Sequence, residues 1–254
     1  MLLAIDVGNT NTVFGLFRAN KQTHSWRCKT EASRSADEYA VFLKQLFDLE
    51  NIEWDFIEDV IISSVVPDTN FHLTRFCEKY TKTEPLFIDY QAAEIIVDLN
   101  QPEDIGADRL VNAAAVISHY PLPAIVVDFG TATTFDVIDD GQVYRGGVIA
   151  PGIRLSMEAL VNKAAKLPKI GVQKPRKVIG KNTQDAMRSG LYWGYIGLIE
   201  KIIENISEEM GTKPHVIATG GLAPLYAEST EIIDVVDDDL IFKGLLEIHK
   251  KQKK

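Results

Sequence analysis

An Asp-x-Gly sequence followed by threonine occurs twice in this chain, first at Asp6 and again at Asp128. The two copies begin 122 positions apart, which is close to half of the 254 residues. Each copy lies between two apolar runs, a pattern typical of strand, tight turn and strand. The repeat predicts the duplication of one α/β unit, with mixed sheets rather than an all-parallel doubly wound sheet. Pro121-Leu122-Pro123 marks the expected boundary, so the predicted halves are residues 1–120 and 121–254.

Composition limits the classes of protein that this chain can belong to. Apolar residues make up 46% and charged residues 25%, which is typical of a globular protein with a buried core. The net charge of −9 opposes binding to nucleic acid, and the basic end His249–Lys254 is most simply a solvated helix end. Cys28 and Cys77 lie in no metal-binding or disulfide pattern. No apolar run approaches the ~20 residues of a membrane helix, so we expect a soluble, cytoplasmic protein.

The first turn, Asp6-Val7-Gly8-Asn9-Thr10, has the residue types of a phosphate-binding loop. Glycine lets backbone N–H groups approach phosphate oxygens, and Asn and Thr add neutral donors. An aspartate repels a bare phosphate, so Asp6 is expected to face a metal ion or its water shell. The alternative is an ordinary hairpin turn, and the second copy favours phosphate binding over it.

The second turn, Asp128–Thr134, has the same features with more hydroxyl groups, and its three threonines are expected to line the loop. A polar strand edge is the alternative. A third segment, Thr219-Gly220-Gly221, follows an apolar strand and permits close approach of a purine or ribose. Taken alone, that segment is only a strand-to-helix turn.

Gly106-Ala107-Asp108-Arg109 places an acid and a guanidinium side by side where a helix is predicted to start, running through His119. One interpretation is structural, with an acid that opposes the helix dipole and an arginine in a salt bridge. The functional interpretation makes Asp108 a general base toward a substrate hydroxyl, with Arg109 binding an anionic or polar group of the substrate.

Helical periodicity predicts further helices at Ile153–Ala165, from about Thr183 to Met210, and at Leu240–Lys250. The long helix carries glycines at positions that disfavour a helix, and close approach of another backbone is the expected reason. These glycines are Gly190, Gly194 and Gly197.

The order of these motifs resembles the phosphate-1, phosphate-2 and adenosine motifs of the acetate/sugar kinase, Hsp70 and actin superfamily. Over about residues 1–245 the chain more closely resembles the type III pantothenate kinases. The matching segments are Asp6-Val7-Gly8-Asn9-Thr10-Asn11, Gly106-Ala107-Asp108-Arg109, Asp128-Phe129-Gly130-Thr131-Ala132-Thr133, Gly146-Gly147-x-Ile149-x-Pro151-Gly152 and Thr219-Gly220-Gly221. The resemblance implies a duplicated actin-like (ribonuclease H-like) fold, in which two halves each have a mixed central sheet flanked by helices.

The resemblance also implies an activity, namely the phosphorylation of pantothenate by ATP in the first step of coenzyme A synthesis. It implies Mg²⁺, a monovalent cation (K⁺ or NH₄⁺) and a homodimer. Carried over by motif, Asp128 matches the acid that binds the monovalent cation, Asp6 holds Mg²⁺ through water and Asp108 is the base. The residues expected to contact ATP are Asp6, Val7, Gly8, Asn9, Thr10, Asn11, Thr12, Val13 and Thr131. Those expected to contact pantothenate are Gly106, Ala107, Asp108, Arg109 and, near the dimer interface, Thr183.

The chain departs from the family pattern at Leu99, where the family usually has a tyrosine that contacts pantothenate. The departure bears on the substrate and not on phosphoryl transfer, so a kinase for another small hydroxy compound remains an alternative. A second alternative is a non-enzymatic accessory transcription factor, as some members of the family have been described. The acidic charge and the set Asp6, Asp108 and Asp128 favour catalysis.

Overall fold

The computed structural model describes residues 1–163 and 167–253 and divides into two compact units, each containing one mixed β-sheet. The first unit comprises Met1–Ile95, Asn100–Ser118 and Leu240–Lys254, and the second comprises Ile96–Leu99 and His119–Asp239. The strands are β1 Leu2–Val7, β2 Asn11–Arg18, β3 Lys21–Lys29, β4 Asp59–Ser64, β5 Leu86–Phe87, β6 Ile96–Val97, β7 Ala124–Phe129, β8 Ala132–Ile138, β9 Val143–Pro151, β10 His215–Thr219 and β11 Val235–Val236. The α-helices of the described residues are α1 Ala36–Leu49, α2 Pro67–Phe76, α3 Ala107–His119, α4 Ile153–Lys163, α5 Thr183–Met210, α6 Ala223–Ala227 and α7 Leu240–Gln252.

The sheet of the first unit has the strand order β3-β2-β1-β4-β5. Its central strand β1 pairs antiparallel with β2 and parallel with β4, which makes the sheet mixed, as predicted. One face is covered by α1 and α2, whose apolar residues join those of the strands in one buried cluster. Helix α1 begins at the capping box of Ser35, whose Oγ accepts a hydrogen bond from Glu38 N (3.3 Å) while Glu38 Oε2 accepts one from Ser35 N (2.8 Å).

The opposite face of this sheet packs against α7, which is the last helix of the chain. A Cβ atom placed on Gly15 in β2 would lie 2.7 Å from the Phe242 ring, and one placed on Gly244 would overlap the Val111 carbonyl oxygen of α3. Because of these contacts α7 belongs to the first unit. The predicted second half, residues 121–254, is therefore too long at its end, because the second compact unit ends at Asp239.

The sheet of the second unit repeats the first. Its order, β11-β10-β7-β8-β9-β6, has a central strand β7 that pairs antiparallel with β8 and parallel with β10. Strand β6 is an addition at the edge, where it pairs with β9. The apolar face of this sheet is covered by the long helix α5. The predicted duplication of a mixed α/β unit is therefore confirmed.

We expected another backbone to approach the α5 glycines closely, and within the described part of the chain none does. No atom of the described residues comes within 4 Å of a Cβ placed on Gly190, Gly194 or Gly197, the helix's own neighbouring backbone aside. The close backbone approach occurs instead at Gly244 of α7. Helix α4 begins at Ile153 as predicted and is described to Lys163, while the rest of the predicted helix, residues 164–165, lies outside the described residues.

No helix within the described part of the chain combines the length and the apolar character needed to cross a membrane. The basic end of α7 is attached to the first unit through several contacts. Lys253 forms an ion pair with Asp59 (2.7 Å), and Gln252 donates a hydrogen bond to the Ala92 carbonyl (3.1 Å).

We expect Gly244→Ala to destabilise the protein by about 1–3 kcal/mol, because the added methyl group forces α7 away from Val111. Thermal unfolding of the purified variant measures the effect. Gly171→Ala is the matched control, because a Cβ at Gly171 meets no described atom within 4 Å. Equal melting temperatures for the two variants would contradict the tight packing of α7 on α3.

Candidate active site

The first predicted phosphate loop is the tight turn between β1 and β2. Gly8 N donates a hydrogen bond to Asn11 O (3.0 Å), and this bond leaves Asn9 and Thr10 exposed at the tip. Thr30, which follows β3, braces the turn through its hydroxyl, a donor to Gly8 O at 2.7 Å. Its backbone N–H also donates to Thr10 O at 3.0 Å. The turn is thus held in a fixed conformation from the side.

The residues predicted to contact ATP differ in what they offer to a ligand. Val7 and Thr12 are fully buried, so they can contribute only through their backbone. Asp6 and Val13 are direct cross-strand neighbours and half-buried. Since strand residues alternate between faces, these two lie on the sheet face opposite the α1 cluster that contains Val7.

Asp108 lies at the start of α3, at the edge of the sheet where β1 and β4 end. Val65, just beyond β4, donates its N–H to Val7 O (3.0 Å), and its Cγ1 is 3.8 Å from a Cβ placed on Gly106. Within the first unit the structure therefore brings the Asp6 turn and the Gly106–Arg109 segment to one edge.

The glycine of the Gly106–Arg109 segment lies next to the Asp108 carboxylate. A Cβ on Gly106 would lie 2.7 Å from Asp108 Oδ1, so a side chain at this position would displace the carboxylate from the orientation seen here. The same oxygen accepts a hydrogen bond from Arg109 N at 2.8 Å. Asp108 and Arg109 are both half-buried. The carboxylate is thus partly accessible and oriented by the first turn of the helix.

The second predicted phosphate loop is the turn between β7 and β8. Gly130 N donates to Ala132 O (3.0 Å), and Gly152 N donates to Thr131 O (3.1 Å). Gly220, with φ of +89°, packs so closely that a Cβ would lie 2.8 Å from Asp128 Oδ1. The Asp128 carboxylate and the Thr219-Gly220-Gly221 segment are therefore in contact within the second unit.

The expectation that three threonines line this loop is wrong. Thr131 alone of the three is exposed at the turn. Strand β8 begins at Ala132, so Thr133 is buried, and its hydroxyl lies 3.0 Å from the Tyr195 hydroxyl. Thr134 donates to Asp136 Oδ2 at 3.0 Å, on the other face of the strand.

Sequence reasoning missed two polar residues, Thr30 and Asp136. Thr30 is far from the turn in sequence, and only the pairing of β3 with β2 brings it close. Asp136 is fully buried and accepts hydrogen bonds from Tyr144 (2.7 Å) and Thr134. Thr134 and Asp136 are two residues apart on one strand and so lie on the same face, which is the signal that the sequence offered.

Thr183 and Leu99 both belong to the second unit. Thr183 is the first residue of α5 and is exposed, and the side chain of the N-cap Asn182 accepts a hydrogen bond from Asp185 N at 2.9 Å. Leu99 follows β6, with its Cδ2 3.3 Å from a Cβ placed on Gly146. The residue that replaces the usual tyrosine therefore packs against the glycine pair Gly146-Gly147.

The acidic residues suit a hydrated divalent ion. Among residues 1–163 and 167–253, no three His, Cys, Asp or Glu side chains are grouped as a metal site. Mg²⁺ in kinases commonly keeps several waters and binds one or two carboxylates together with substrate phosphates. A single carboxylate such as Asp6 fits that arrangement.

The cysteines do not provide a nucleophile. Burial raises the pKa of the Cys77 thiol to about 12 and also raises the pKa of the Cys28 thiol. Neither is a thiolate at neutral pH, so covalent catalysis through cysteine is not supported.

The chain matches proteins of one known family along nearly its whole length. The model of the type III pantothenate kinase family matches residues 2–205. The type III pantothenate kinase of Paramagnetospirillum magneticum is 50% identical over 253 residues, covering 99% of this chain and 97% of that protein. The enzyme of the same name from Rhodospirillum rubrum is 50% identical over 255 residues, covering 100% of this chain and 99% of that protein.

Solved structures agree on the fold. A Baf family transcriptional activator from Campylobacter jejuni has a TM-score of 0.62 at 22% identity, covering 99% of this chain and 98% of that one. A 2-dehydro-3-deoxygalactonokinase protein from Sinorhizobium meliloti has a TM-score of 0.61 at 13% identity, covering 99% and 96%. The fold is thus the duplicated actin-like fold of the sugar kinases, and the chain belongs to the type III pantothenate kinase family.

Proposed function

We propose that Asp108 is the general base with which this chain phosphorylates pantothenate from ATP, the reaction for which its family is named. The reaction is the first step of coenzyme A synthesis. The observation that supports the assignment is the position of Asp108, because the Gly106–Arg109 segment and the Asp6 turn lie at one edge of one sheet.

Phosphoryl transfer depends on positioning and charge neutralisation more than on covalent help. The Arg109 N–H orients the Asp108 carboxylate, which accepts a hydrogen bond from the primary hydroxyl of pantothenate. As the hydroxyl oxygen bonds to the γ-phosphorus, its proton passes to Asp108 and the bond from the γ-phosphorus to the β,γ-bridging oxygen breaks. Arg109 binds the polar end of the substrate, together with Gly106 and Ala107.

The two turns serve the nucleotide. The exposed tip of the first turn, with the side chains of Asn9, Thr10 and Asn11, contacts ATP phosphates, and Val7, Gly8, Thr12 and Val13 flank it. Thr131 contacts phosphate from the second turn. Asp6 holds Mg²⁺ through water, and the ion neutralises charge on the phosphates. Asp128 holds the monovalent cation, K⁺ or NH₄⁺.

A homodimer in the cytoplasm completes the proposal, with Thr183 contacting pantothenate near the interface. Support comes from the surface of the second unit. Val178 and Ile179 are 64% and 73% exposed just before α5. The three α5 glycines have no described neighbour within 4 Å, which leaves a helix face on which a second copy can approach closely.

The accessory transcription factor is the weaker alternative. The chain is acidic overall, and within the described residues the basic end of α7 is partly neutralised by Asp59. A DNA-binding measurement at physiological salt beside a phosphorylation assay separates the two functions. A kinase for another small hydroxy compound is tested by turnover of a substrate panel, because Leu99 alters a position that contacts pantothenate in the family.

Asp108→Asn should lower kcat by about 10²–10⁴-fold while the Kd for MgATP is unchanged, because the amide orients the hydroxyl without accepting its proton. Single-turnover phosphorylation of pantothenate measures the first quantity and equilibrium binding the second. Asp104→Asn, an exposed neighbour in the preceding turn, is the matched control and should retain activity. Near-normal turnover of Asp108→Asn would remove this residue as the base.

Activity should require K⁺ or NH₄⁺, and Asp128→Asn should abolish the response to added K⁺. The carboxylate supplies the charge that holds the cation, which the amide lacks. Steady-state rates over a KCl series at constant ionic strength measure the response. Asp140→Asn, in an exposed turn of the same unit, should leave the K⁺ response intact. Full activity in Na⁺ alone would contradict the monovalent cation site.

The purified chain should sediment at twice its mass of 28.3 kDa, and Gly194→Arg should sediment as a monomer. A Cβ at this exposed position meets no atom of the described residues within 4 Å beyond its own helix backbone, and an arginine there obstructs close approach of a second copy. Circular dichroism melting shows whether the variant is folded. Unchanged sedimentation of the folded variant would remove this face of α5 from the interface.

A further inference from the structure

The first phosphate turn lacks a positive charge of its own. The segment from Asp6 to Val13 contains an aspartate and no lysine or arginine, and the whole chain carries a net charge of −9. The phosphates of ATP carry several negative charges, of which one Mg²⁺ neutralises two. A chain of this charge needs cationic side chains near the turn to bind the nucleotide tightly.

Strand β3 places two cations level with the turn. Arg27 is the direct cross-strand neighbour of Val13, which is in turn the neighbour of Asp6. Lys29 is the neighbour of Asn11 in the next row, closer to the tip. Because neighbouring strands lie about 4.8 Å apart, the Cα atoms of Asp6 and Arg27 are separated by about 10 Å across β2. An extended arginine side chain covers much of that distance.

The strand register places these residues on the same face as Asp6. Gly15 is the cross-strand neighbour of Ala4, and its open side faces Phe242 of α7. Asp6 lies two residues after Ala4, and Arg27 lies two residues after Ser25, the neighbour of Gly15 on β3. The pairing runs without a bulge from this row to the turn, so Arg27 and Lys29 share the face of Asp6.

Neither cation is engaged elsewhere. Both Arg27 and Lys29 are exposed, and across the described residues neither forms an ion pair or a side-chain hydrogen bond. Nearby cations behave differently, since Arg34 pairs with Glu31 at 3.7 Å and Lys44 pairs with Asp48 at 2.7 Å.

The end of β3 is also fixed relative to the turn. Thr30, next to Lys29, donates its hydroxyl to Gly8 O at 2.7 Å and its N–H to Thr10 O at 3.0 Å. The Thr30 hydroxyl also lies 3.0 Å from the Thr12 hydroxyl. The backbone that carries the two cations is therefore attached to the loop that is proposed to bind phosphate.

We propose that Arg27 and Lys29 bind the phosphates of ATP at the Asp6 turn. The inference rests on the proposed kinase function, because it assigns the nucleotide to this turn. The Arg27 guanidinium presents a planar fork that can donate two hydrogen bonds to one phosphate, and the Lys29 ammonium adds a point charge near the tip. The product ADP is held by the same pair.

A structural explanation of these charges exists and makes a different prediction. Strand β3 is the edge of its sheet, and lysines on an edge strand prevent pairing with another chain. Lys21 lies on the same strand, is equally exposed and carries the same charge, but is about 20 Å from Arg27 along the strand. If the charges only protect the edge, changes at Arg27 and Lys21 should have equal effects on nucleotide binding.

The experiment compares Arg27→Gln, Lys29→Gln and the control Lys21→Gln by equilibrium binding of MgATP and MgADP and by kinetics. We expect Arg27→Gln to weaken both nucleotides about tenfold or more, since hydrogen bonds to charged groups contribute most of such an effect. Lys29→Gln should have a smaller effect, and the KM for pantothenate and the melting temperature should not change. Arg27→Lys should recover part of the affinity.

Wild-type Kd values for both nucleotides in Arg27→Gln and Lys29→Gln would overturn the inference, as would an equal loss of affinity in Lys21→Gln. The binding measurement does not depend on the acceptor substrate. If the wild type binds MgATP but does not phosphorylate pantothenate, the proposed function fails while the variants still test this pair. Absence of MgATP binding by the wild type would overturn both.

Discussion

The structure depends on the hydrogen bonding of one strand in each unit. Strand β1 pairs antiparallel with β2 on one side and parallel with β4 on the other, and β7 has the same arrangement with β8 and β10. The antiparallel partner requires a tight turn at the end of the central strand, and the parallel partner ends at the same edge. An aspartate near the end of such a strand, Asp6 or Asp128, therefore lies beside a tight turn with an exposed tip. In the first unit, Val65 follows β4 at this edge, and the start of α3 with Asp108 lies at the same edge.

Glycine is required where backbone or a carboxylate occupies the space of a side chain. Gly106 leaves room for the Asp108 carboxylate, and Gly220 leaves room for Phe129 and Asp128. Gly244 lets α7 contact α3 directly, which attaches the last helix of the chain to the helix that carries Asp108. These three positions belong to different motifs, yet each determines how closely two parts of one unit approach. At Gly106 and Gly220 the restriction involves an aspartate of the site, whereas at Gly244 it comes from the backbone of α3.

Much of the fold was accessible from the sequence because its signals are local or repeated. The two Asp-x-Gly turns predicted the duplicated units, and the start of α3 was visible in the four residues Gly106–Arg109. The placement of α7 was not, since it depends on the contact of Gly244 with Val111, which are distant in sequence. The sequence also could not say whether the α5 glycines meet a backbone of the same chain, and, the helix's own backbone aside, no described atom of this chain comes within 4 Å of a Cβ placed on them. Within the site, Thr133 was misplaced because β8 already starts at Ala132, whereas a loop lined by all three threonines would have to extend to Thr134. Thr30 joins the turn only through the pairing of β3 with β2.

The charge distribution connects these observations to the chemistry. An acidic protein that binds a polyanion must concentrate its positive charge where the ligand lies. The Asp6 turn contains no lysine or arginine, and its one charged side chain is the Asp6 carboxylate. The neighbouring strand can carry the positive charge, since a side chain two strands away reaches over the sheet without occupying the turn. In this arrangement β1 supplies the carboxylate, the turn supplies neutral backbone donors, and Arg27 and Lys29 of β3 supply the charge. Strand register places all three groups on one face of the sheet, and the proposal therefore makes the edge strand part of the nucleotide site.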